Sequence, residues 1–381
     1  MTRVNIRPEL FRWAIERSGR EPEELRARFK HLERWEQGEA HPTLKQLEDF
    51  ARATHTPIGY FFLPAPPVEA VPIPDMRTIA DAPAGRPSPN LLDTIYACQQ
   101  RQDWYREYAR AMGETPLLWV GSARISDDPV ETATKMRAAL QFDLDERAQM
   151  ATWTEALRRF IEQAEEIGVL VMVSGIVGNN THRKLDPQEF RGFALADDLA
   201  PLVFVNGADT KAAQMFTLGH ELAHLWLGGS ALSDATPNHE PSLEVERWCN
   251  AVAAEVLAPL AAVRAAFDPG APLDVERDRL ARRFKVSTLV VLRRLFDAGF
   301  LTWPAFREAY EAELERLVSI PRGAGGGNFY WTELARVGRR FARAVVTSTL
   351  EGQTLYRDAF QMLGCSKHEA FRELGRRLGV A

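Results

Sequence analysis

The pentapeptide His220-Glu-Leu-Ala-His224 restricts the fold of this chain more than any other stretch, because its chemistry requires a helix. On a helix, residues four apart share a face, so both imidazoles reach one cation. The run 209–227 supplies that helix, with Met215, Leu218, Leu222, Leu225 and Trp226 as its apolar stripe. Zn²⁺ accepts such nitrogen ligands tetrahedrally at about 2.0–2.1 Å. Glu221 falls beside the metal, where it can act as general base toward water that the metal acidifies to a pKa of roughly 7. The plain alternative is a pair of satisfied core histidines on an apolar helix.

Two histidines leave such a site incomplete, so a third protein ligand is expected. Downstream, Glu244-Val-Glu246-Arg-Trp-Cys-Asn250-Ala-Val-Ala-Ala-Glu255-Val-Leu-Ala-Pro259 reads as a helix on which Glu246 and Asn250 share a face. The pair resembles the E-x-x-x-D helix of thermolysin-like enzymes, where the Glu binds zinc and the later acid orients a ligand histidine. The resemblance implies Glu246 as third ligand and Asn250 as the acceptor for an imidazole N–H. Glu255 lies one turn further, and Glu244 falls on another face. A developing oxyanion needs a donor besides the metal. His239, in Asn238-His239-Glu240-Pro241, is the candidate, with Arg191 or a tyrosine as substitutes and a plain surface histidine as the bland reading. His182 has less to recommend it.

The 381 residues suggest two or three domains, and 45% hydrophobic with 26% charged residues allow a sizeable core. A net charge of -5 gives no whole-chain basic field for nucleic acid. Cys98, Cys249 and Cys365 are odd in number and far apart, which reads as reduced thiols. Arg3, Arg7 and Glu9 interrupt any early apolar run, so no signal peptide is expected. No apolar stretch reaches membrane-spanning length, so a cytoplasmic protein without membrane contact is expected.

The expected fold class is α+β, mostly helical, with a small mixed sheet. Residues 1–67 form a helical block, and 68–90 a Pro/Ala-rich linker or wrapping arm. Helical periodicity covers 91–113, 130–142, 152–167, 209–227, 242–257 and 275–298. Short β-branched runs at 168–174, 190–196 and 201–205 predict three or more strands. Pro321-Arg-Gly-Ala-Gly-Gly-Gly-Asn328 marks the end of a 91–320 domain. The helical segment 321–381 is basic, with Arg336, Arg339, Arg340 and Arg343 at helical spacing on one face; such stripes are usually solvated. Phe329-Tyr330-Trp331 would anchor it to the body.

Phe216-Thr-Leu-Gly-His220-Glu221-Leu-Ala-His224-Leu resembles the ImmA/IrrE family of zinc metallopeptidases. So does Asn250-Ala-Val-Ala-Ala-Glu255-Val-Leu-Ala-Pro259, similar to that family's A-N-x-F-A-A-E-L-L-M-P. The resemblance implies a thermolysin-like zincin core, Zn²⁺ as cofactor, and an endopeptidase that cuts a repressor-like protein. Some relatives instead bind a cognate toxin as antitoxins, so a DNA-binding regulator or antitoxin with little proteolysis is the alternative. Residues 4–67 resemble an Xre-type helix-turn-helix with a shortened turn, and imply DNA contact through Arg26, Arg28, Lys30 and Arg34. The block carries eleven Lys+Arg against ten Asp+Glu, only +1, so docking on a protein is the competing reading. The stretch 280–299 also has helix-turn-helix rhythm, with Ser287 and Gly299 as caps, and is expected to pack beside the core.

Overall fold

The computed structural model describes residues 3–76, 78–79, 82–83, 86–233, 244–319 and 334–380, with backbone alone at 78–79, 82–83 and 318. It resolves into two compact units. Residues 1–72 with 84–95 form the first, and 73–83 with 96–381 the second.

In the first unit, α1 (Pro8–Ser18), α2 (Pro22–Arg28), α3 (Leu32–Glu36) and α4 (Leu44–Ala53) precede a 3-10 turn at Ile58–Phe62. Prolines open α1 and α2, where the missing N–H costs nothing. Gly19 closes α1 in the left-handed region. Thr43 caps α4 in a reciprocal capping box with Gln46. Phe50 is the hub of the core, its ring within 5.4–6.3 Å of Phe11, Phe29, Trp35 and Phe61. Arg17 is buried and donates to both carboxylate oxygens of Glu69, at 2.5 and 2.8 Å, and to the His55 carbonyl at 2.7 Å. That bidentate pair ties the first linker residues to the bundle.

The second unit is built on a four-stranded sheet in the order β3-β5-β4-β6: Leu170–Ser174, Leu202–Asn206, Gly192–Leu195 and Ala231–Ser233. Strands β3 and β5 run parallel, and β4 pairs antiparallel with both β5 and β6. A two-residue hairpin, β1 (Thr78–Ile79) with β2 (Ala82–Pro83), precedes it. The expected strands are present, but β6 was not legible as a strand. Its outer edge is occupied by the linker: Leu232 N donates to Pro74 O at 2.9 Å, and Met76 N to Leu232 O at 3.0 Å.

The helices that follow the linker are α5 (Pro89–Ala111), α6 (Pro129–Leu140), α7 (Leu144–Gln149), α8 (Trp153–Glu166), α9 (Lys211–Leu227), α10 (Glu244–Leu257), α11 (Leu260–Ala266), α12 (Leu273–Phe284), α13 (Thr288–Asp297) and α14 (Trp303–Ser319), of which α8 and α9 pack on the sheet. The mostly helical α+β class is therefore as expected. The helix expected over 275–298 is two helices. Lys285 takes φ 52°, which ends α12, and the Ser287 hydroxyl then accepts from Val290 N to start α13. Among the described residues no single helix is long and apolar enough to cross a membrane.

The chain ends in α15 (Arg339–Leu350), α16 (Tyr356–Leu363) and α17 (His368–Leu378). Phe329-Tyr330-Trp331 lies outside the described residues. The arginine stripe is solvated only in part: Arg343 is exposed, while Arg336, Arg339 and Arg340 are half-buried. Arg340 donates its backbone N–H to Glu165 at 3.1 Å and its guanidinium to Glu114 at 3.2 Å; Arg343 reaches the Leu378 carbonyl at 2.9 Å. Gly338 makes this approach possible: a Cβ there would stand 2.7 Å from the Val171 carbonyl oxygen. Burial lifts the Glu165 carboxyl from 4.5 to about 7, against the pull of the Arg340 and Arg339 amides. The folded chain thus keeps a proton that the unfolded chain loses above pH 4.5, so stability falls as pH rises toward about 7. Glu165→Gln should match the wild type near pH 4 and exceed it near pH 8 by on the order of 2 kcal/mol, read as thermal midpoints at the two pH values.

Candidate metal centre

Helix α9 is held at both ends. The Thr210 hydroxyl accepts from Ala213 N at 3.2 Å, and Gly228 closes the helix at φ 74°. Every residue from Gln214 to Trp226 is buried, so its polar side chains must be satisfied inside the protein. Helix α10 lies across it, with the position of a Cβ on Gly219 3.6 Å from the Ala253 Cβ. This close approach faces His220 and His224 toward the first turns of α10.

Three donor atoms converge there. His220 Nε2 is 3.1 Å from His224 Nε2 and 3.2 Å from Glu246 Oε2, and His224 Nε2 is 3.0 Å from Glu246 Oε1. A tetrahedral ion with bonds near 2.0–2.1 Å separates its ligand atoms by about 3.3 Å, so the triangle has the dimensions of one face of such a site. His220, His224 and Glu246 form a cluster able to hold a metal ion. His220 Nδ1–H donates to Asn250 Oδ1 at 2.9 Å, which leaves the Nε2 lone pair directed at the triangle.

The electrostatics fit a cation. Glu221 is fully buried; among the described residues neither of its carboxylate oxygens meets a donor at full hydrogen-bond geometry, and Glu246 Oε1 has none beyond its approach to His224. Burial first, and then the charge of Glu246, push the Glu221 pKa well above the usual carboxylate value, while the Ser233 hydroxyl, near enough to donate toward it, draws it back. Burial would also raise Glu246, but the two imidazoles hold it well below the usual range. Burial depresses His224 and so keeps the ring neutral, the form that binds metal. A second carboxylate charge beside Glu246 in a buried cluster is costly unless positive charge joins it. Cys249 is not a competing ligand: burial, with Glu246 and Glu221 nearby, raises its thiol well above the usual value.

The other candidates fall elsewhere. His239 lies outside the described residues. Arg191 faces Asp209 at 3.4 Å, and His182 is exposed on a turn. Glu255 is committed to structure, paired with buried Arg294 and accepting from Leu260 N. Glu244 is exposed. In the first unit, Arg26 approaches Glu36 at 3.4 Å and Glu33 at 4.0 Å, Arg34 meets Glu39 at 4.0 Å, and the Arg28 guanidinium sits 5.3 Å from the Phe29 ring centre. Lys30 is exposed.

One neighbour was missed. Ser233, at the end of β6, is buried with its Oγ 3.2 Å from His224 Nε2. Opposite it, Gly192 of β4 lets the strand close on the helix. A Cβ there would lie 2.5 Å from Thr217 Cγ2, 2.8 Å from the Phe204 carbonyl oxygen and 3.1 Å from Glu221 Oε1. Gly192→Ala should therefore cost about 1–3 kcal/mol of stability, read by thermal unfolding. Asn250→Ala should leave the fold intact and weaken metal binding by about 10–100-fold, read by competition with a chelator.

Residues 164–296, which span this centre, match the family model of a peptidase family described as an IrrE N-terminal-like domain. Residues 337–377, covering α15 and α16 and nearly all of α17, match a model described as a domain of unknown function. No curated protein matches the chain. No solved structure matches it either.

Proposed function

We propose that this chain is a zinc-dependent endopeptidase that cleaves a regulatory protein partner, with a transcriptional repressor as the expected substrate. One observation carries the reading: three donor atoms 3.0–3.2 Å apart stand beside a buried carboxylate that meets no donor at full hydrogen-bond geometry among the described residues. The match of residues 164–296 to a peptidase family supports it independently. The repressor rests on the ImmA/IrrE resemblance alone, as does the rival partner, a cognate toxin. On the same footing, we take the first unit as a module that docks on protein or DNA. The carboxylates around Arg26 and Arg34 favour protein.

In this reading His220, His224 and Glu246 hold the ion, and Asn250 fixes the His220 ring. Bound Zn²⁺ supplies Lewis acidity that polarises the scissile carbonyl and makes water more acidic. Glu221 then takes the proton as the water oxygen bonds to the carbonyl carbon. The same carboxylic acid delivers that proton to the leaving nitrogen as the C–N bond breaks, so Glu221 ends the cycle ionised, as it began.

Glu221→Gln should retain one zinc per chain by elemental analysis and slow cleavage of the repressor by about 10²–10⁴-fold. His220→Ala and Glu246→Ala should lose the metal as well as the activity. Zinc-free protein as purified, or full cleavage by the Glu221→Gln variant, would discard the mechanism.

A further inference from the structure

We propose that Ser233 is a positioning residue of this centre, its hydroxyl becoming the partner of the Glu221 carboxylate once a metal engages His224. The inference rests on the zinc-peptidase reading above.

Ser233 is wholly buried at the end of a strand whose other residues, Ala231 and Leu232, are apolar. Burying a hydroxyl without a partner is destabilising, because it gives up its hydrogen bonds to water. An alanine would therefore serve packing better, and the hydroxyl calls for a polar neighbour. The structure offers two. His224 Nε2 lies 3.2 Å from the Oγ. The Glu221 carboxylate lies on the same side. Ser233 pairs directly with Gly192, and the position of a Cβ on Gly192 is 3.1 Å from Glu221 Oε1. Directly opposed residues point to one face with Cβ atoms about 4.5–5.5 Å apart. The serine side chain thus emerges beside the base.

A serine has one proton to donate, and the neutral His224 ring with its proton on Nδ1, the form that binds metal through Nε2, has one lone pair at Nε2. Without a metal that lone pair can accept the Ser233 proton. With a metal the lone pair is committed, and the O–H turns to an acceptor still lacking a donor. Among the described residues neither oxygen of Glu221 has one at full hydrogen-bond geometry. Holding one carboxylate oxygen leaves the other aimed at the attacking water. Ser233 itself touches neither substrate nor product in this scheme; it acts through Glu221.

The full-length, zinc-loaded protein tests this with acetohydroxamate as the probe. A hydroxamate chelates the ion and shares a proton with an adjacent carboxylate, so its affinity reports how well Glu221 is held. Ser233→Ala should keep zinc affinity within about threefold. It should weaken acetohydroxamate by roughly 10-fold or more, the worth of one hydrogen bond to a charged group. Ser233→Thr, which keeps the hydroxyl, should restore most of that loss. The double variant Glu221→Gln/Ser233→Ala should bind the probe no more weakly than Glu221→Gln alone, because both act through one carboxylate. Unchanged probe affinity in Ser233→Ala, additive losses in the double variant, or a zinc affinity down more than about tenfold would each overturn the assignment. Wild-type protein that takes up no zinc would instead defeat the parent reading, and this inference with it.

Discussion

Two neighbouring helices buried against each other, with ionisable groups on the shared face, set the terms for the second unit. Helix α9 has no solvent-facing side between Gln214 and Trp226, so His220, Glu221 and His224 cannot be solvated. Glu246 joins them from α10, where it is also buried. A protein interior tolerates such a cluster only when charge and hydrogen bonds are matched within it. The arrangement around it reads as that matching: an amide oxygen on one imidazole, a hydroxyl on the other, and a triangle of lone pairs left for a cation.

The sheet serves this cluster as much as it serves the core. Strand β4 approaches α9 closely because Gly192 presents no side chain, and the space is taken by Thr217 and Glu221. Strand β6 then returns from the end of α9 and places its last side chain on the His224 ring. Far from this face, Gly338 brings α15 against β3 in the same way, by omitting a Cβ. Backbone proximity at these two glycines fixes what the sheet can hold on either flank.

The helix carrying His220-Glu221-His224 and the helix pairing Glu246 with Asn250 were legible because a spacing of four has a single geometric meaning on a helix. The Asn250 contact was expected from the resemblance to the E-x-x-x-D helix, with the spacing placing it on the face of Glu246. Strand β6 was not legible, since Ala231-Leu232-Ser233 shows too few residues for a period of two to emerge. Ser233 was invisible for a related reason: a hydroxyl has no spacing signature, and only the register of β4 with β6 brings it to the site. The split of 275–298 was half legible. Ser287 advertised a cap, but the left-handed turn at Lys285 is a conformation that lysine rarely adopts and no pattern announces. The inward contacts of Arg340 were not legible, because a charge stripe says nothing about an acidic partner such as Glu114, 226 residues earlier in the chain.

The linker rung on β6 carries one more consequence. A strand at the rim of a sheet offers unpaired amides and carbonyls to any extended polypeptide, including another copy of the same protein. Pro74 and Met76 satisfy the outward-facing groups of Leu232 with the chain's own backbone, so adventitious strand addition at this rim would first have to peel the linker away. The proline on one side and the tether on the other make that rung a cheap safeguard: it adds no bulk, and its effective concentration never falls.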